Sequence, residues 1–136
     1  MRVLLDANIL LDVLLDREPW AADAKQLWRA HEEKRLIGCV TATTAIIVSY
    51  VARRLGGADR ARLAVRLCLR TFELLPVDRA ACELADAMAG QDFEDNVQAA
   101  CAGLHKLDAI VTRDERGFAG ASVPVLTPAQ VLARLR

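Results

Sequence analysis

The amino-terminal stretch Met1–Leu15, MRVLLDANILLDVLL, constrains the fold more than any other part of the chain. Its first apolar run, Val3–Leu5, stops at Asp6, and a second, longer apolar run begins after Asn8. A short continuous apolar run is typical of a parallel strand that is buried on both faces. Because α/β proteins bind ligands at the carboxyl ends of their parallel strands, we expect Asp6 to lie at a ligand-binding edge of a sheet.

The second apolar run begins with polar residues that allow two interpretations. Asn8 and Asp12 are four residues apart, so they share a face if this run is helical, and Asn8 then lies near the point where Asp6 leaves the strand. Alternatively, Asp6 or Asn8 only caps the helix, which is a common use of both residue types. The D-x-N pattern alone does not decide between these interpretations.

The rest of the chain alternates between short apolar runs and longer segments whose apolar residues recur at helical spacing. Further strands are predicted at Leu36–Val40, at Phe72–Val77 with an interruption at Pro76, at Ala109–Thr112 and at Val123–Leu126. Helices are predicted over Trp20–Lys34, from the Thr41–Thr44 cap to Gly56-Gly57, and over Ala58–Arg70, Asp78–Ala89, Asp92–Lys106 and a terminal segment begun by Thr127-Pro128. This alternation predicts an α/β fold in three layers, with a mostly parallel sheet of four or five strands flanked by helices.

Composition limits the class of protein. The chain has 136 residues, 54% of them apolar, which suits one domain over residues 1–136. Its 18 basic and 18 acidic side chains balance, so nucleic-acid contacts would have to depend on local patches. The four cysteines are widely spaced without histidine partners, which indicates core thiols in a reducing cytosol. With no signal peptide or membrane-spanning stretch visible, we expect a cytoplasmic protein without a membrane partner.

Three acidic residues fall at equivalent places in the predicted topology. Asp6 follows the first strand, Asp95 lies in the first turn of a helix, and Asp114 lies two residues past the fourth strand. In a parallel sheet all three face the carboxyl-terminal edge. Carboxylates that converge repel one another unless a cation neutralises them, and Mg²⁺ or Mn²⁺ is the expected cation for oxygen ligands. Such a site can activate a water molecule and stabilise charge on a phosphoryl group.

These acids also have a structural interpretation. Asp92 and Asp95 have the spacing of a helix N-cap and the residue three positions later, and acids in a first turn interact favourably with the helix dipole. Asp114 can belong to an ordinary polar loop, Arg113–Gly117. The coincidence of three acids at one sheet edge favours the functional interpretation.

Three motifs resemble those of the PIN-domain family: D-A-N-x-L-L-D at Asp6–Asp12, D-F-E-D-N-x-Q-A-A at Asp92–Ala100, and V-T-R-D-x-x-x-F at Val111–Phe118. That family comprises metal-dependent ribonucleases, many of them toxins of bacterial VapBC-type toxin–antitoxin pairs, and the D-F-E-D pattern is similar to that of one subgroup. The resemblance implies a PIN-like, Rossmann-like fold, Mg²⁺ or Mn²⁺ in an acidic pocket, and hydrolysis of RNA phosphodiester bonds by activated water. It also implies a cognate antitoxin and a homodimer.

The resemblance also implies roles for individual residues. Asp6 and Asp95 match the family's metal ligands, and Asp114 matches the acid after the last strand. Asn8 and Thr112 match the polar residues that support those ligands. These five residues are therefore the predicted catalytic set, with Asp6, Asp95 and Asp114 as metal ligands.

One position departs from the family pattern. Family members usually have a glutamate in the helix after the second strand, where this chain has Ile47, and no acid lies between Lys34 and Asp59. Three other acids are candidates to complete the metal shell: Asp92, which we include among the predicted metal ligands, Glu94 and Asp12. The alternative is a site that binds metal poorly, in a degenerate PIN domain that acts as an RNA- or protein-binding module.

The helix predicted over Ala58–Arg70 is the most basic part of the chain. Arg62, Arg66 and Arg70 recur at helical spacing on one face, which indicates either a solvated surface or a contact for RNA phosphates. The same helix is predicted to turn three residues inward, namely Leu63, Leu67 and Cys68.

Other classes of enzyme find less support in the sequence. An aspartyl-phosphate enzyme also places an acid after its first strand, but it needs a lysine after a later strand, and no lysine follows a predicted strand end. No serine or cysteine nucleophile motif and no glycine-rich phosphate loop is present. These absences leave the acidic sheet edge as the candidate site.

Overall fold

Five short strands form one sheet in the computed structural model, which describes residues 1–136. The strands are β1 (Arg2–Leu5), β2 (Ile37–Thr41), β3 (Glu73–Leu75), β4 (Ala109–Val111) and β5 (Val125–Leu126). They lie in the order β3-β2-β1-β4-β5, and every neighbouring pair is parallel. The predicted α/β fold with a parallel sheet is confirmed.

Six helices connect and cover the strands. They are α1 (Ala7–Leu14), α2 (Ala21–Glu32), α3 (Ala42–Thr71), α4 (Arg79–Asp86), α5 (Phe93–Leu104) and α6 (Pro128–Arg134). A short 3-10 helix, Glu115–Phe118, follows β4. The third strand ends before Pro76, which has no N–H for a strand ladder. No helix has both the length and the apolar composition needed to cross a membrane.

The central strand β1 packs against helices on both faces. Val3 and Leu5 belong to a core cluster with residues of α1, α2 and α6, whereas Leu4 belongs to a cluster with residues of α5. All three side chains are buried. Each contributes about 1.5 to 3 kcal/mol by leaving water. The alternation along β1 therefore produces the three predicted layers, with helices on both faces of the sheet. The carboxyl end of β1 brings Asp6 to the carboxyl-terminal edge of the sheet.

Helix α3 consists of two helical segments that meet at Gly57, whose φ of 86° and ψ of 177° are open to glycine but rare for other residues. The prediction that Leu63 and Leu67 point inward is wrong, since they are 61% and 44% exposed. The second segment packs through the small side chains of Ala61 and Cys68, both buried. Small residues allow close approach of the helix, and the two leucines are left on its flank, along a groove of about 390 Å³.

A buried polar network connects α5 with the start of α3. The Thr41 hydroxyl at the end of β2 donates to Oε1 of Gln98 over 2.5 Å, and Nε2 of Gln98 donates to the Thr44 hydroxyl over 2.6 Å. Thr41 Oγ1 also accepts from the Thr44 N–H and so caps α3. Because Gln98 lies one turn after Asp95 on the same helix, this network fixes the position of the α5 segment that carries the candidate acids.

Replacement of Gln98 by Leu should destabilise the protein without placing any new atom near the acids. Both threonine hydroxyls lose a buried partner, which we expect to cost about 2 kcal/mol and to lower the thermal midpoint by about 6 to 10 °C. The measurement is thermal unfolding followed by circular dichroism, with exposed Gln91→Leu as the control. An unchanged midpoint for Gln98→Leu would contradict the structural role of the network.

Candidate active site

Asp6 both ends β1 and begins α1. Its backbone is extended, with φ −68° and ψ 152°, and its Oδ1 accepts from the Ala7 N–H over 2.7 Å. Its Oδ2 accepts from the Thr112 hydroxyl over 2.8 Å. The expected capping contact is therefore present, and the same carboxylate also lines a pocket at the sheet edge. The two interpretations of Asp6 are compatible.

Thr112, which follows β4 and is fully buried, holds the polar edge together. Its hydroxyl donates to Asp6 and accepts from two donors, Nδ2 of Asn8 at 3.2 Å and the backbone N–H of Asp114 at 3.0 Å. One hydroxyl thus uses its proton and both lone pairs. These bonds fix Asp6, Asn8 and Asp114 relative to each other, although they are up to 108 positions apart in the sequence.

The pocket at this edge has a volume of about 260 Å³. Its lining contains four acids together with polar and apolar residues: Asp6, Ala7, Asn8, Leu11, Arg17, Ile47, Glu94, Asp95, Asp114 and Phe118. The structure therefore brings together Asp6, Asn8, Asp95 and Asp114, which the sequence predicted as site residues. Ile47 lies in the same lining, at the position where the family pattern has an acid.

The candidates for completing the acidic shell occupy different places. Glu94 lines the pocket, whereas Asp92 does not and instead caps α5, with Oδ1 accepting from the Asp95 N–H over 3.1 Å. Asp12 is buried and pairs with Nε and Nη2 of Arg113 at 2.9 and 3.3 Å, and with Nη1 of Arg17 at 3.8 Å. Asp12 thus lies outside the pocket lining, where Arg113 and Arg17 neutralise its charge. Glu94 is the candidate that the fold places beside the predicted ligands.

Burial and negatively charged neighbours raise the pKa of three pocket acids, Asp6, Glu94 and Asp95. Burial, followed by the charges of Asp92, Asp6, Glu94 and Asp114, raises the pKa of Asp95 from 3.8 to about 7. Burial raises the pKa of Asp6 as well, against the hydrogen bonds from Thr112 and Ala7. The pKa of Glu94 is raised by burial and by its acidic neighbours. A bound cation would relieve this repulsion.

The donors of the pocket fit a hard divalent cation that keeps several waters. All of the candidate donors are oxygens, and Oδ1 of Asn8 is buried without a hydrogen-bond partner. No three acidic, histidine or cysteine side chains lie close enough together to hold a metal ion among them. An open pocket with a few carboxylates suits a divalent cation that retains most of its water ligands.

Two residues of the site were not identified from the sequence. Arg17 lies in the pocket lining, although its sequence context indicated only a break between helices. Gly117 packs against Asp95, because a Cβ at this position would collide with Oδ2 of Asp95. The glycine of the R-D-E-R-G-F segment was the available signal for this close approach.

The raised pKa of Asp95 predicts a pH-dependent effect of the Asp95→Asn variant. Because the folded pKa of about 7 exceeds the ordinary value of 3.8, the stability that protonation contributes is complete below about pH 4 and is lost as the pH rises through 7. In chelator, Asp95→Asn should match the wild type at pH 4. At pH 8 it should be more stable by about 1 kcal/mol, allowing for solvent screening, or about 3 to 5 °C in thermal midpoint. Exposed Asp59→Asn is the control, and equal midpoints at pH 8 would contradict the repulsion.

Comparison with solved structures finds relatives of this fold. The toxin–antitoxin complex from Klebsiella pneumoniae matches with a TM-score of 0.69 and 26% identity, over 93% of this chain and 97% of that chain. DNA-bound VapBC from Salmonella typhimurium has a TM-score of 0.74 and 17% identity, over 94% and 98%. VapC20 from Mycobacterium tuberculosis, a Sarcin-Ricin loop cleaving toxin, has a TM-score of 0.70 and 13% identity, over 86% and 93%.

The sequence itself also identifies the family. No curated protein matches the chain significantly. The family model for the PIN domain, however, matches residues 2–116, which contain the three motifs up to Arg116 and all of the residues that line the pocket except Phe118. The chain belongs to the PIN domain family.

Proposed function

We propose that this chain is a single PIN domain over residues 1–136 that hydrolyses RNA as a metal-dependent endoribonuclease, the toxin of a VapBC-type pair. The observation that carries the proposal is the convergence of Asp6, Glu94, Asp95 and Asp114 on one pocket in a protein of the PIN family. Carboxylates gathered at this cost in repulsion are typical of a functional site. The structural similarity to VapC20, a Sarcin-Ricin loop cleaving toxin, supports the same class of activity here.

The proposed chemistry assigns a separate task to each group of residues. Asp6, Asp95 and Asp114 would hold Mg²⁺ or Mn²⁺, with Glu94 or Asp92 completing the shell, and the cation would supply an activated water and neutralise charge on the phosphodiester. Thr112 and Asn8 keep the carboxylates in place through the hydrogen bonds described above. In the absence of a cation, the raised pKa of Asp95, about 7, leaves this carboxyl partly protonated near neutral pH.

A groove on α3 supports binding of the RNA backbone. Arg62, Arg66 and Arg70 line this groove together with Ser49, and none of these arginines has an ion-pair partner within the chain. Unpaired arginines on one helix face would bind phosphates without sequence preference and in a salt-dependent manner. The prediction that Leu63 and Leu67 of this helix face inward was wrong. The prediction that Arg62, Arg66 and Arg70 share an exposed face agrees with the structure.

Partners are proposed on the basis of the comparisons and the exposed surface. The Klebsiella and Salmonella structures contain a toxin with its antitoxin, which supports a cognate antitoxin for this chain. A basic antitoxin side chain inserted into the acidic pocket would pair with its carboxylates and block the cation. The first segment of α3 exposes Ile46 and Tyr50, which lie one turn apart on the same face, and this apolar surface supports a homodimer. We also propose that the protein acts in the cytoplasm.

The direct test of the ribonuclease is metal-dependent cleavage. The purified protein should cleave total bacterial RNA with Mg²⁺ or Mn²⁺, and chelator should abolish this activity. The Asp95→Asn variant should lose at least about 100-fold in rate, because one carboxylate of the cation shell is gone. The Asp59→Asn control, a change on the exposed surface of α3, should cleave normally. Equal rates for wild type and Asp95→Asn would contradict the assignment.

Ile47 favours a second candidate function, a degenerate domain that binds RNA or protein without cleaving it. An isoleucine at this place removes one carboxylate from the pocket lining. In this case the wild type would bind RNA but remain inactive under all metal conditions.

Replacement of Ile47 by Glu tests whether the missing carboxylate limits metal binding at the pocket. The new carboxylate should raise the Mn²⁺ affinity about tenfold, since affinity at such sites depends on the charge of the ligands. It should also increase the cleavage rate of an active wild type. Ile47→Gln is the matched control, because glutamine has nearly the same size and shape as glutamate but no charge. Identical Mn²⁺ affinities for the Glu and Gln variants, measured by calorimetry, would show that residue 47 does not face the cation.

A further inference from the structure

Arg17 lies in a loop whose backbone is fixed on both sides. Its N–H donates to the carbonyl of Asp12 over 3.0 Å, and its own carbonyl accepts from the Ala21 N–H over 2.8 Å. The preceding residue, Asp16, adopts a left-handed conformation with φ 51° and pairs with Lys25. These contacts connect the end of α1 with the start of α2 and hold Arg17 at the rim of the acidic pocket.

Asp12 cannot neutralise both arginines that surround it. This buried carboxylate is bound by Arg113 through two hydrogen bonds of 2.9 and 3.3 Å, whereas the Arg17 Nη1 lies farther away, at 3.8 Å. Two guanidinium groups thus share one carboxylate, and the cluster carries one excess positive charge. Because Arg113 has the closer contacts, the excess charge and most free N–H donors belong to Arg17, whose side chain is 30% exposed.

Arg17 is the one basic side chain among the ten residues that line the acidic pocket. Its only ion pair is with Asp12, so none of the four pocket acids is paired with it. The pocket acids alone would repel an RNA phosphate. Once a cation has neutralised them, the guanidinium at the rim provides a fixed positive charge beside the place of reaction.

We propose that Arg17 binds a nonbridging oxygen of the RNA phosphodiester at the acidic pocket and is held in position by Asp12. This inference deepens the proposed ribonuclease function and rests on it. The planar guanidinium can donate two parallel hydrogen bonds to a phosphate, which an ammonium group does not reproduce. Arg17 would then orient the phosphate for attack by water and stabilise the charge that develops on its oxygens.

A competing role for Arg17 is that of a counter-ion, since a positive charge also weakens the negative field of the pocket. A residue that acts only as such a counter-ion would alter the affinity for the cation. Its removal would tighten Mn²⁺ binding and leave the salt dependence of RNA binding unchanged. The two roles therefore differ in a measurable quantity that is independent of cleavage.

The experiment compares Arg17→Gln and Arg17→Lys with Arg79→Gln, the matched control on the highly exposed surface of α4. Binding of fluorescein-labelled total transfer RNA is followed by anisotropy over a range of KCl concentrations with Mg²⁺. These measurements use the Asp95→Asn background so that the probe stays intact. Cleavage of total RNA is measured with Asp95 restored, Mn²⁺ affinity is measured by calorimetry, and thermal midpoints show that each variant is folded.

If Arg17 binds phosphate, Arg17→Gln should weaken RNA binding about tenfold and flatten the slope of log affinity against log salt by about 0.7 to 0.9. Arg17→Lys should keep the slope but lose part of the cleavage rate, and Arg79→Gln should match the parent in both. An unchanged slope in Arg17→Gln, with tighter Mn²⁺ binding, would overturn this inference and leave the ribonuclease intact. A wild type that neither binds nor cleaves RNA would overturn both.

Discussion

Repulsion between carboxylates at one edge of the sheet is the constraint on which the site depends. The parallel topology forces Asp6 and Asp114 to the same edge, and the buried Thr112 hydroxyl fixes them there. Helix α5 adds Glu94 and Asp95 to this edge. Burial and the neighbouring negative charges raise the pKa of both carboxyls. Holding these charges together costs stability, and the proposed cation would relieve that cost. The proposed function and the proposed role of Arg17 both depend on this charge balance, which Ile47 alters by leaving out one carboxylate.

Much of the fold and part of the site could be predicted from local patterns. Short apolar runs indicated the strands because each lies between two helical layers, and Val3–Leu5 is the clearest case. Asp6 and Asp114 could be placed at one pocket because parallel strands deliver their carboxyl ends to a common edge, and Asp95, in the first turn of α5, lines the same pocket. Family membership confirms the resemblance that the motifs carried. The assignment of Asp6, Asp95 and Asp114 as metal ligands remains a proposal.

What escaped prediction depends on contacts between distant parts of the chain. Helical spacing alone suggested that Leu63 was buried, but the turn at Gly57 decides which face of the segment meets the core. Asp12 looked like a possible metal ligand until its contact with Arg113, 101 positions away, was known. Arg17 has no sequence signature, because its importance comes from the imbalance between two arginines and one buried carboxylate.

The most direct measurement is anomalous X-ray diffraction from crystals soaked in Mn²⁺. It locates the cation without depending on the RNA target or on the antitoxin. We expect a strong anomalous peak between Asp6, Asp95 and Asp114. Glu94, or water molecules bound to the Mn²⁺, should lie on the remaining side. Crystals with full occupancy of Mn²⁺ elsewhere, or with none at this edge of the sheet, would contradict the claim that the pocket is a metal centre.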